Sequence, residues 1–140
     1  MSESAELIAA VLEGLRRDEA QPGAVLAAAE APGVDPLDYC CHHFGLGTTE
    51  VLHRAATWAG LAFSPVVPHT GTHAAFHHID GFATIRSIRE PLFERQVTYV
   101  APDLERLLRL RTYAMQHPDI RRTTCIVPAA AIRTALARLS

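Results

Sequence analysis

Proline and glycine cut the first sixty residues into lengths that suit only short helices. Leu7, Ile8, Val11, Leu12 and Leu15 recur at helical spacing and predict a helix from about Ser4 to Arg17. Pro22 to Glu30 suits a second helix, with proline in its first turn and Gly33 beyond its end. Asp35-Pro36 reads as an N-cap followed by a first-turn proline. Leu37, Cys40, Cys41 and Phe44 then form one stripe, and Gly45 supplies the left-handed stop. A fourth helix starts near Thr48 or Thr49, buries Val51, Leu52, Ala55, Ala56 and Ala59, and ends at Gly60.

The pattern changes after Gly60. Leu61 to Val67 is a short apolar segment, and His69 to Gly81 has no clear period, so it reads as loop or irregular structure. Phe82 to Ile88 alternates as a strand does, and Gln96 to Val100 is rich in β-branched and aromatic residues. Glu90 and Pro91 suit the turn between them. Asp103 can cap a helix in which Leu104, Leu107, Leu108 and Met115 share a face, with Pro118 at its end. Thr123 to Val127 reads as a third strand, and Pro128 opens a last helix carrying Ile132, Leu136 and Leu139.

The expected fold class is therefore α+β: a bundle of short helices followed by a small three-stranded β-β-α-β-α sheet unit. The second and third strands can pair in parallel through the intervening helix. The 140 residues make one domain, with a helical subdomain 1–60 and an α/β subdomain 61–140.

Composition excludes several functions. All thirteen basic residues are Arg, so neither a Schiff-base lysine nor a Walker-type lysine exists. The formal net charge of −2 provides no broad field toward nucleic acid or an anionic membrane. No apolar run approaches the ~20 residues of a membrane span, and the acidic N-terminus is unlike a signal peptide. The three cysteines follow no disulfide framework spacing. A cytoplasmic location is the expectation.

Eight histidines invite a metal reading. In Cys40-Cys41-His42-His43, consecutive helical residues point about 100° apart and diverge, so core cysteines beside surface histidines are the ordinary explanation. His69, His73, His77 and His78 form a second group, and a mixed metal site of Cys41, His69, His73 and His77 is the candidate it leaves. A Cys41–His nucleophile pair lacks a glycine-rich oxyanion motif, and Ser64 and Ser87 lack the G-x-S-x-G elbow. No catalytic residue is assigned and no cofactor is expected. Arg86, Arg89 and Arg95 surround the first two strands, and Arg121 and Arg122 precede the third, so these five are the candidate phosphate or ligand contacts.

Three segments carry a family resemblance: Phe44 to Phe63, then Val97 to Asp103 with its Leu-rich helix, then Thr124 to Leu136. In this order they resemble the N-terminal domain of type II secretion ATPases, the MshEN-like domain. The same arrangement stands at the front of certain bacterial membrane-bound family 2 glycosyltransferases. The resemblance implies a non-catalytic regulatory or protein-docking domain. Its partner would be a catalytic domain or another protein of a membrane-associated assembly. Some members of the family bind cyclic di-GMP through a doubled R-L-G-x-x-L-x-x-G type motif. Here Gly45-Leu46-Gly47 and Val51-Leu52 match it only in part, without the leading Arg-Leu-Gly or a second copy. A cyclic dinucleotide sensor is thus the alternative, and a small His-rich metal-dependent enzyme the second.

Overall fold

The structure is a computed structural model that describes residues 2–14, 21–67, 75–79, 82–90 and 95–139. Four helices lead: α1 (Glu3–Val11), α2 (Pro22–Glu30), α3 (Pro36–Phe44) and α4 (Thr48–Ala59). Then come strands β1 (Ala62–Phe63), β2 (Ala75–Ile79), β3 (Phe82–Glu90) and β4 (Arg95–Val100), helices α5 (Leu104–Gln116) and α6 (Ile120–Thr123), strand β5 (Thr124–Ile126) and helix α7 (Ala129–Leu139). The fold is α+β, with helices dominant.

Helices α2, α3 and α4 begin and end where Pro22, Pro36, Gly45 and Gly60 predict. Gly45 and Gly60 end α3 and α4 at φ +67° and +75°, a region that a Cβ disfavours. Helix α1 is shorter than expected. Ser2 caps its start by accepting from the Ala5 amide at 3.1 Å. Its far end turns at Leu12–Gly14, where Gly14 adopts φ +92° and Arg54 takes the carbonyls of Val11 and Glu13, each at 2.9 Å. Residues 15–17 of the expected helix lie outside the described residues.

The sheet holds five strands among the described residues, in the order β1-β5-β4-β3-β2. The three expected strands sit at its centre. β4 runs parallel to β5, with Thr98 opposite Thr124 and Val100 opposite Ile126, so β4-α5-β5 is the expected crossover unit. Two strands are additional. β1 lies parallel to β5, which gives the short apolar segment after Gly60 a backbone partner. β2 pairs antiparallel with β3, so residues 75–79 form a strand where loop was expected. Ala-Phe-His-His-Ile has no alternation to reveal a strand; the ladder along β3 fixes it instead. Residues 69–74 and 80–81 of that stretch, and Pro91 of the expected turn, lie outside the described residues.

Two further differences concern helices. The turn α6 fills the approach to β5, so Thr123 ends a helix rather than opening the strand. Met115 is 54% exposed although it was expected on the apolar face of α5. The buried residues of that helix are Leu104, Leu107 and Ala114, which puts Leu108 and Met115 at the rim of the buried arc.

The main core gathers Leu7 and Ile8 of α1, Val25 of α2, Cys40 of α3, Val51 and Ala55 of α4, Leu107 of α5 and Ile126 of β5. It thus runs across the Gly60–Pro68 segment. A side chain such as Leu107, fully buried, contributes about 1.5–3 kcal/mol over leaving it in water. A second cluster, with Val97, Tyr99, Val127 and Ile132, joins the sheet to α7.

Candidate functional site

A cleft of about 160 Å³ opens between α3, the start of α4, the β4–α5 connection and the start of α7. Its polar lining is Asp35, Asp38, Cys41, Thr48 and Asp103, and Leu37, Val51, Leu52, Ala101 and Pro102 supply most of its wall. Its position follows from four helix starts meeting, those of α3, α4, α5 and α7. Asp35 and Asp103 are the N-cap residues of α3 and α5, and Thr48 begins α4.

The carboxylates there are committed to helix ends. Asp103 accepts from the Arg106 amide at 2.8 Å through one oxygen and from the Arg106 guanidinium at 2.9 Å through the other. Asp35 does not cap its own helix through its side chain; its Oδ1 accepts from the Leu104 amide of α5 at 3.0 Å. Helix α5 thus starts between two carboxylates, where its free amides and dipole favour negative charge. Burial pushes the Asp35 carboxyl above its ordinary range. The Leu104 amide opposes that shift, and the Asp38 and Asp103 carboxylates add to it.

The thiols are held protonated. Burial pushes Cys40 up to about 12, helped by Cys41 and Asp35. Burial also raises Cys41; Thr48 opposes through a hydrogen bond, and Asp38 and Asp35 add to the rise. Burial alone raises Cys125. A nucleophile or metal ligand must be a thiolate, and this setting disfavours one. The cleft is also below the roughly 300–1,000 Å³ of small-molecule sites, and its three carboxylates repel phosphate.

Of the candidate metal residues, Cys41 lines this cleft and is half-buried. His77 lies on β2, in register with Thr84. His69 and His73 lie outside the described residues. Among the described residues no group of three or more His, Cys, Asp and Glu is placed to hold a metal ion.

The candidate arginines divide. Arg89 stands opposite Gln96, and Arg95 opposite Glu90, where β3 ends and β4 begins. Arg121 and Arg122 lie on α6, directly before β5. Because β4 and β5 are parallel, their starts share one end of the sheet, and these four residues share it too. Arg86 is set back along β3, opposite Ala75. Arg121 and Arg122 are exposed, and Arg121 lays its guanidinium over the end of α4: its Nη1 is 3.4 Å from where a Cβ on Gly60 would stand.

Several working residues carry no motif. Arg54 ties α4 to the end of α1 and pairs with Glu50 at 2.9 Å. Arg111 lies 4.2 Å over the Trp58 ring and 3.3 Å from Glu3, joining α5, α4 and α1. Asp38 and Thr48 enter the cleft only because α3 and α4 converge. The single hint in the sequence was a cluster of helix starts. An open groove between α1 and α5, lined by Glu3, Glu105, Leu108, Arg109, Thr112 and Tyr113, has about 530 Å³ and lies on the surface.

No helix among the described residues is long and apolar enough to cross a membrane. Comparison with protein-family models, curated proteins and solved structures finds no significant match to the chain.

Proposed function

We propose that this chain is a non-catalytic regulatory or protein-docking module that works in the cytoplasm by presenting a surface. Its partner is a catalytic domain or protein of a membrane-associated assembly, of the glycosyltransferase or secretion-ATPase kind. The observation that carries this reading is the commitment of polar side chains to structure. Asp35, Asp103, Arg54 and Arg111 hold helix ends and join elements, while the three thiols are kept protonated. Groups placed for catalysis more often have their pKa poised near the working pH. The MshEN-like resemblance of residues 44–63, 97–103 and 124–136 points the same way.

Chemical crosslinking of the tagged chain in its own cells, followed by quantitative mass spectrometry, tests this. One protein recovered at fixed stoichiometry is the expected result. A chain recovered uncomplexed, whose melting temperature climbs with added cyclic di-GMP, supports a sensor instead.

A further inference from the structure

We infer that the arginine-bearing end of the sheet is the docking face, and that it receives an acidic segment of the protein partner. This rests on the docking reading and names the chemistry of that contact. Arg121 and Arg122 of α6 stand at the joined end of β3, β4 and β5, beside the register position of Arg95 at the start of β4. Arg121 and Arg122 are exposed, and neither pairs with a described carboxylate. Elsewhere Arg54, Arg106, Arg109 and Arg111 each have an acidic partner. Arginine also suits such a contact because its planar fork engages carboxylates two-pronged and loses little freedom in doing so.

The acids around this end decide the kind of partner. Glu90 stands in register with Arg95, and Asp119 precedes α6. A bilayer or a polyphosphate favours unbroken positive charge. A mixed pattern of both signs on a chain of net charge −2 favours a partner with its own pattern, since matched charges give register and exclude wrong partners.

The test is binding of a fluorescent Glu-rich 20-residue peptide to the whole chain, against vesicles containing phosphatidylglycerol and against cyclic di-GMP. The R121E/R122E variant should bind the peptide at least about tenfold more weakly, at an unchanged melting temperature. Added salt should weaken the wild-type contact. Because Arg121 touches the Gly60 turn, R122E alone serves as the second variant, and it should lose affinity with the fold intact. Equal peptide affinity in wild type and both variants, or tighter binding to vesicles or cyclic di-GMP than to peptide, overturns the inference. The cellular complex separates the two levels. If it forms with wild type and persists undiminished in R121E/R122E, the face is wrong and the docking reading stands. If wild type forms none, the docking reading falls as well.

Discussion

The Asp35 carboxylate, at the start of α3, accepts the backbone amide of Leu104, the first residue of α5, at 3.0 Å across a gap of sixty-nine residues. This bond ties the helical front half to the crossover unit through a half-buried acid whose proton affinity is raised by desolvation.

Replacing this residue separates its two roles. Asp35→Ala removes the acceptor and should lower stability by about 1 kcal/mol, the usual cost of a lost cap. Asp35→Asn keeps an acceptor and removes a desolvated charge that faces Asp38 and Asp103. It should equal or exceed wild type at neutral pH. The sign with pH follows from the raised carboxyl. The favoured protonated form contributes fully below the unfolded value of 3.8 and is lost as pH rises through the higher folded value. The advantage of the Asn variant should therefore shrink on acidification. Urea denaturation at a series of pH values measures it, and an advantage that grows toward low pH contradicts the assignment.

Arg54 should behave as the closing cap of α1. Arg54→Ala should cost about 1–3 kcal/mol, because two carbonyls lose a charged donor. Arg54→Lys should recover only part of this, since one ammonium lacks the fork that reaches both carbonyls and Glu50. Glu50→Ala should cost only about 0.3–0.5 kcal/mol, as an exposed pair one helical turn apart. Faster amide exchange confined to the last turn of α1 in the Ala variant locates the effect.

The cysteines should rank by access. With its thiol pushed up to about 12 and its side chain fully buried, Cys40 should react with Ellman's reagent at pH 8 only as fast as the chain unfolds. Half-buried Cys41 and Cys125 should react before unfolding, yet more slowly than a free thiol. All three should react at once in denaturant. Fast native labelling of Cys40 contradicts the packing of α3.

A cavity at the junction should be felt on both sides of it. Ile126→Ala in β5 should cost about 2–5 kcal/mol. Because Ile126 shares one core with Leu7, Val51 and Leu107, helix and sheet signals should be lost in a single transition. Two separated transitions, one followed by the helical and one by the sheet amide I infrared band, contradict a shared core.

The helical half was legible because its information is local. Pro36 and Gly45 mark the ends of α3, and Leu37, Cys40 and Phe44 show its buried face. The sheet was legible only where a strand carries its own signal. Gln96 to Val100 announces itself with β-branched and aromatic residues, whereas residues 75–79 become a strand through the ladder along β3. The cleft was the least visible. Asp35 read as the cap of its own helix, which is the local expectation, but its oxygen serves α5 instead. No periodicity reports that two helix starts will meet. Arg54 was equally silent, since a staple between α4 and α1 depends on where α1 ends, and Gly14 shortens that helix.

The most direct measurement sets surface against cleft in cells lacking the gene. One variant, D38N/C41S, alters the cleft chemistry, and the other, R121E/R122E, alters the arginine end; both are first checked for an unchanged melting temperature. If the chain works through its surface, D38N/C41S restores the missing phenotype and forms the partner complex as wild type does, while R121E/R122E does neither. A D38N/C41S chain that forms the complex normally yet fails to restore the phenotype would place the working chemistry in the cleft and contradict a non-catalytic role.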